Sequence, residues 1–474
     1  MTNDAPDTVY DVAVIGAGVV GCALARELAR YEVSVVVLER SSDVGNGTSK
    51  ANTAILHTGF DCVPGSLEST LVSRGYHLLG AYAEAAGIAV ERTGGLLVAW
   101  DDEQHATLAS LQEKAVKNGY GATRILSAAE VRDREPNLGE GVRAGLEVPG
   151  ESIICPWSTV LAYALEAATA GVSFLFDTLV SSVTRLEGVH VLATTRGEVR
   201  SRWLINAAGL FSSDVDGLCD HDDFKVTPRR GELVVFDKLA RNLITSIILP
   251  VPTQRTKGVL VAPTVYGNVL LGPTADDVED PFATATTEEG IARLFEAGAK
   301  IVPKLVGEEV TAMYAGLRAA TQFQDYQIRA HEGEAYVCVG GIRSTGLTAS
   351  MAIADYVAGL LRTEGLELKE RFATPATPNM APLGEQQRRR YLDAEAIERD
   401  PEYGQIVCHC ERVTRGEVRD ATTGVLGARD LGALRRRTRA LNGRCQGFYC
   451  GAEVVALLSQ LSGRSPAALT GLGS

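Results

Sequence analysis

The sequence predicts an α/β chain in three parts: a parallel-sheet dinucleotide-binding domain, an antiparallel-sheet domain interleaved with it, and a small cysteine-bearing C-terminal module. Three observations lead there. A glycine-rich turn joins two β-branched runs near the N-terminus, runs of strand-forming residues fill the middle of the chain, and four of the nine cysteines gather beyond residue 405. With 474 residues the chain exceeds what one core usually supports, so two or three domains are expected.

The first part rests on Tyr10–Arg40, YDVAVIGAGVVGCALARELARYEVSVVVLER. A strand over Asp11–Ile15, a helix over Cys22–Tyr31 and a strand over Val33–Leu38 are expected, with Gly16-x-Gly18-x-x-Gly21 at the first junction. Gly16 allows the tight turn, Gly18 lets the backbone approach a pyrophosphate, and Gly21 lets helix and strand pack closely. The helix N-terminus offers N–H groups to the phosphates. Glu39 follows Gly21 by 18 residues, where a carboxylate can take ribose hydroxyls. The motif does not by itself choose between FAD and NAD.

A net charge of -13 argues against general binding to nucleic acid or anionic membrane, so an anionic substrate must meet locally placed arginines. The N-terminus MTNDAPDTVY is acidic and carries no signal-peptide pattern, and no apolar run approaches the roughly 20 residues of a membrane span. A cytoplasmic protein is expected, with peripheral attachment to the inner face of a membrane through a partner left open. Cys22, Cys62, Cys155, Cys219 and Cys338 sit among apolar neighbours and read as small buried hydrophobes.

After Glu39, residues 40–60 are small and polar, as suits a loop over a cofactor. His57 is its one side chain able to move a proton near neutral pH, unless it only orients the loop. Helices are expected over Val72–Ala86, His105–Asn118, Thr159–Ala170 and Thr286–Val302, the last with Ile291, Leu294, Phe295 and Ala299 as its apolar face. Strands are expected from Thr93, over Val172–Phe176, and from Val199 into Asn206-Ala-Ala-Gly209. Between Lys225 and Asp277 the pattern predicts antiparallel strands with a hairpin at Tyr266-Gly267-Asn268. From Tyr336 a strand turns through Gly340 and Gly341 and passes Gly346 into another helix whose N-terminus faces the ligand.

Taken together, the Gly16–Gly21 triplet with Glu39, the TSKANTAILHTG loop, NAAG, AGLR and GGIRSTGLTAS resemble, in this order, FAD-dependent oxidoreductases of the D-amino-acid oxidase and glycerol-3-phosphate dehydrogenase superfamily, over roughly Val9–Leu361. The resemblance implies FAD, held in a Rossmann-like domain interleaved with an antiparallel-sheet substrate domain. It implies cofactor contacts from Arg40, Thr48, Ser49, Asn52, Val180, Gly209, Gly341, Gly346, Leu347 and Thr348 as well. It nominates Arg318 and Arg343 to bind a substrate anion, for which guanidinium forks are suited. FAD-binding segments are expected at about 8–80, 150–224 and 331–370, and substrate-domain segments at about 81–149 and 225–330.

Residues 371–404 read as a Pro-containing linker with one helix near Glu385–Ala396. Beyond it, Cys408, Cys410, Cys445 and Cys450 form two close pairs that can hold a [2Fe-2S] cluster or a zinc ion. Residues 405–474 resemble the small helical domain related to bacterioferritin-associated ferredoxin, with Cys-x4-Cys where the stand-alone ferredoxin has Cys-x2-Cys. That favours a [2Fe-2S] cluster next to a flavin. Arg435, Arg436, Arg437 and Arg439 read as a solvated helix face or as a docking patch for an acidic electron partner.

The expected function is an FAD-dependent dehydrogenase of a small anionic hydroxy compound, with glycerol 3-phosphate first. Its electrons would leave through the cluster to a partner protein or quinone pool. L-2-hydroxyglutarate, another 2-hydroxy acid or an amino acid stands as the alternative substrate. A direct oxidase with a structural zinc and a non-catalytic cluster-bearing assembly subunit stand as the alternatives of other classes.

Overall fold

The computed structural model describes residues 8–252 and 258–470. The acidic segment Met1–Asp7 lies outside them. Val9–Ile15 forms the centre of an eight-stranded sheet, parallel to Val35–Leu38 on one side and to Gly197–Asn206 on the other. Ser173–Leu175 extends it beyond Val35–Leu38, and Tyr336–Gly340 pairs in parallel with the end of Gly197–Asn206. Parallel strands buried on both faces need continuous apolar runs, and Val12, Ala13, Val14, Val36 and Val37 are wholly buried. The helices Val19–Leu28, Leu67–Ala86 and Gly346–Thr363 pack into this core. Sequence reasoning missed an antiparallel meander at one edge, Val180–Leu186 and Val189–Thr194 leading into Gly197–Asn206. Its exposed faces carry Ser, Thr, Arg and Glu, which leaves little apolar alternation to read.

The second sheet has nine strands and faces the first across a cleft. Its long pair, Val226–Phe236 against Val310–Thr321, is antiparallel from Val226↔Thr321 to Phe236↔Val310. Leu260–Pro263 and Val269–Gly272 form the expected hairpin, with Gly267 at φ +84°. One strand departs from the antiparallel expectation, since Ile247–Pro250 runs parallel to Gly95–Ala99. In the helix Glu288–Ile301 Leu294 is buried with Ile291 and Phe295 packed beside it, as expected, but Ala299 is exposed and Gly298 takes the buried place.

No helix spans 385–396; the helix there is Ala394–Arg399, capped by Asp393. The linker is also packed down: Met380 and Leu383 enter the main core and the Met380 N–H bonds the Ala86 carbonyl. The C-terminal module then builds its own core from the helices Arg415–Thr423, Leu431–Thr438 and Gly451–Ser462.

Candidate active site and cluster module

Gly16 sits at φ +104°, and a Cβ there would stand 2.6 Å from the Ala207 carbonyl oxygen. A Cβ on Gly21 would lie 1.9 Å from the Gly16 carbonyl oxygen, so only glycine lets this helix begin where it does. A Cβ on Gly18 would meet only Ser49 Oγ, at 3.3 Å, on the side open to the cleft. Ser49 Oγ accepts from the Val19 N–H at 2.9 Å. Glu39 closes the second strand, its oxygens accepting the Ala17 and Ser41 N–H groups at 2.8 Å each. One lone pair per oxygen remains for ribose hydroxyls. Beside it, the Asp177 and Thr178 N–H groups bond the Ser41 and Glu39 carbonyls and lead to Val180.

The cleft between the sheets opens to solvent and has a cavity volume of about 220 Å³. It runs from Gly18, Thr48, Ser49 and Gly209 to Asn52, Arg318, Arg343, Gly346 and Leu347. Thr48 Oγ1 donates to the Leu317 carbonyl at 2.8 Å, and Asn52 holds its loop by accepting the Ala54 N–H and donating to the Ser49 carbonyl. Gly341 and the buried Thr348 stand behind the lining; Thr348 Oγ1 accepts the His57 N–H. Arg40 lies outside the lining, its guanidinium stacked 3.9 Å from the centre of the Phe211 ring.

Arg318 carries the electrostatic signature of the cleft. Burial, helped by Arg229 across the strand pair, holds its guanidinium below the ordinary arginine range. Among the described residues no carboxylate pairs with it; its one hydrogen bond is a long 3.5 Å contact to the Thr274 carbonyl. Arg343 stands 3.7 Å from Glu68 Oε2. Sequence reasoning missed Arg229, which shares the cleft face with Gly231 and Leu233 and is held by Asp277 at 2.6 and 3.0 Å. The signal was there as alternate-residue spacing, but it gains meaning only once Arg229 is known to oppose Arg318.

His57 does not line this cleft. Its Nδ1 accepts the Gly59 N–H at 2.8 Å, its Nε2 lies 3.3 Å from Asp61, and its ring stacks on Phe60. Glu151, wholly buried, stands 3.7 Å from Nδ1, and burial pushes its carboxyl up against the pull of His57 and Thr58.

In the C-terminal module Cys408 ends the strand Ile406–Cys408, and Cys450 caps the helix Gly451–Ser462. Cys410 lies against Cys445, and Cys450 against Cys408. The Tyr449 N–H, then those of Gly447 and Cys450, point at Cys445 and hold its thiol below the ordinary range. Converging N–H groups of this kind stabilise a thiolate ligand. A tetrahedral zinc with bonds of about 2.3 Å would draw all four sulfurs to within about 3.8 Å of one another. Among the described residues no three of them come within 4.8 Å, and the two-and-two grouping fits a centre with two irons. The other five cysteines form no disulfide among the described residues; four are buried and Cys219 is half-buried.

Arg436, Arg437 and Arg439 form neither a solvated face nor a patch for a separate protein, and Arg435 beside them is half-buried. Arg436, Arg437 and Arg439 are buried against the chain's own flavin-side domain. Asp43, in the loop after Glu39, accepts from Arg436 at 2.5 Å and from Arg437 at 2.7 Å. Arg439 donates to Glu411 at 2.7 Å and lies 4.0 Å from the centre of the Tyr266 ring. Tyr266 stacks on Trp157, whose indole N–H donates to the Lys50 carbonyl in the loop flanking the cleft.

A protein so built is a dinucleotide-dependent oxidoreductase with a cluster module docked on it. Comparison with known proteins supplies the nucleotide: the chain belongs to the FAD dependent oxidoreductase family, whose model matches residues 11–360, and residues 406–460 match the BFD-like [2Fe-2S] binding domain. FAD and a [2Fe-2S] cluster are its cofactors. A glycerol 3-phosphate dehydrogenase of Caloramator mitchellensis is 35% identical over 457 residues, covering 95% of this chain and 94% of its own. A glycerol 3-phosphate oxidase of Mycoplasma pneumoniae is 32% identical, covering 74% and 94%. The dithionite-reduced L-alpha-glycerophosphate oxidase of Mycoplasma pneumoniae with FAD bound superposes with a TM-score of 0.75 at 30% identity, over 79% of this chain and 99% of that one.

Proposed function

We propose that this chain oxidises glycerol 3-phosphate to dihydroxyacetone phosphate and passes the electrons to a separate acceptor through its cluster. Arg318 carries this reading: a half-buried guanidinium, open to the cleft and lacking a carboxylate, calls for an anion as part of the ligand. Arg318 and Arg343 would hold the phosphate, with Arg229 adding positive potential, and so fix which carbon faces the flavin. When bound, FAD accepts the hydride from that carbon, and the cluster carries the electrons onward singly.

His57 stands off the cleft lining, with Nδ1 accepting the Gly59 N–H and Nε2 facing Asp61, so it orients its loop and is not assigned as the base. His57→Asn should then change kcat by less than about tenfold, and a loss of roughly 100-fold or more would make it the base after all.

The acceptor would meet the loop between Cys445 and Cys450, where Phe448 and Tyr449 are 96% and 74% exposed beside the cluster ligands. No helix of the described residues is long and apolar enough to cross a membrane, so delivery to a quinone pool would need a partner.

Anaerobic bleaching of the flavin tests the substrate. Glycerol 3-phosphate should reduce it faster than L-2-hydroxyglutarate, other 2-hydroxy acids or amino acids. The second reading, a 2-hydroxy-acid dehydrogenase, gains from a human L-2-hydroxyglutarate dehydrogenase 28% identical over 58% of this chain, and wins if L-2-hydroxyglutarate reduces the flavin faster. Reduction by none of them would favour the assembly-subunit reading. Cys445→Ser should leave single-turnover bleaching intact and abolish turnover with the acceptor.

A further inference from the structure

A group of metal-type ligands stands away from both cofactor sites. One ligand atom each from His221, Asp223 and His331 lies within 4.8 Å of the other two. His221 comes from the loop after the helix Ser212–Gly217, and His331 ends the strand Gln327–His331, so the fold, and not local sequence, brings them together. Their rings stack 3.6 Å apart at 26°, and Tyr336 continues the stack at 5.1 Å from His331.

Two details give this pair a ligand's character. Among the described residues His331 Nε2 is buried with no hydrogen-bond partner, a costly state unless something uses the nitrogen. His221 Nε2 lies 2.9 Å from Glu334 Oε2; a carboxylate that accepts this N–H fixes the tautomer and leaves the lone pair on Nδ1. That carboxylate–histidine pairing is the usual support behind a metal-bound imidazole. Asp223 is exposed and lies 2.8 Å from Arg329, which it would exchange for an ion.

We propose that His221, His331 and Asp223 bind a divalent transition-metal ion, with Glu334 positioning His221. Two imidazoles and one carboxylate favour zinc, nickel or copper over magnesium or calcium. The site stands at Tyr336, where the strand Tyr336–Gly340 begins, whereas its other end, about 13 Å along, enters the cleft. The ion therefore staples the 218–223 loop to the sheet and leaves catalysis alone. Because it binds the folded chain, it raises thermal stability by mass action.

Calorimetric titration of the flavin- and cluster-loaded protein with zinc chloride tests this, with iron measured before and after. A single zinc should bind without loss of iron and raise the Tm. His331→Ala should abolish both effects, and Glu334→Gln should weaken binding by roughly 10–100-fold. Asp223→Asn, at an exposed position, carries the same test should His331→Ala fold poorly, and it should also weaken binding. Zinc uptake that survives both substitutions, uptake that releases iron from the cysteines, or no uptake at all overturns the proposal.

Discussion

Arginines are drawn in from the surface at the module interface and in the cleft, and the two places are built on opposite terms. At the module interface every buried guanidinium meets a carboxylate: Arg436 and Arg437 share Asp43, and Arg439 takes Glu411. In the cleft Arg318 is half-buried, and among the described residues no carboxylate answers it. A buried charge left alone costs several kcal/mol, so the unpaired arginine is tolerable only where a ligand supplies the missing charge. The paired arginines ask for no ligand; they fix how two domains sit. On the proposed function the same residue type thus serves recognition in one region and assembly in the other, and the partner decides which.

The largest effect is expected at the paired side. Asp43→Ala would strand two guanidinium groups and should cost about 3–5 kcal/mol, read as a lowered Tm and faster proteolysis near residues 371–404. An unchanged Tm would erase the distinction between the two regions. Arg318→Ala should act the other way round. It should lower kcat/KM by roughly 30-fold or more, about 2 kcal/mol or above, while Tm and flavin content hold or rise. A fall in Tm instead would mean that Arg318 is structural.

A third test sharpens the contrast through the ligand. Glycerol 3-phosphate at 100 times its Kd should stabilise the oxidised wild-type protein, kept from turning over at low temperature, by about 2.7 kcal/mol, and should leave Arg318→Ala nearly unmoved. Acid gives the smallest effect. Burial pushes the Asp43 carboxyl up, and Arg437 and Arg436 outweigh it; in Glu411 burial is outweighed by Arg439 and Lys238. Both carboxyls end below their unfolded values of about 3.9 and 4.3. Their contribution is present above those values and is lost as pH falls through the lower folded ones. The module should therefore loosen below about pH 4 in a thermal-stability series, and Asp43→Ala should flatten that dependence.

The local devices were readable in the sequence, and the long-range ones were not. Gly16, Gly18 and Gly21 declare a turn by their spacing alone, and the Tyr266-Gly267-Asn268 hairpin is written in contiguous residues. The four cysteines announce a metal module, but their two-and-two grouping depends on where Cys445 folds against Cys410. Asp43 and Arg436 lie 393 residues apart, so no window could have told a solvated arginine run from a buried one. Arg229 needed the strand register, and His57 looked like a cleft residue because its loop flanks one. The meander at Val180–Thr194 escaped because an exposed edge strand has no apolar side to betray it.

The pairing of Asp43 with Arg436 and Arg437 has one more consequence. The contacts that hold the cluster module do not depend on the peptide bonds that lead to it. A cut within residues 371–404 severs the thread but leaves these ion pairs and the Arg439–Tyr266 contact in place. The polypeptide is in that sense a preassembled heterodimer that happens to be encoded as one chain. Its two halves would copurify after nicking.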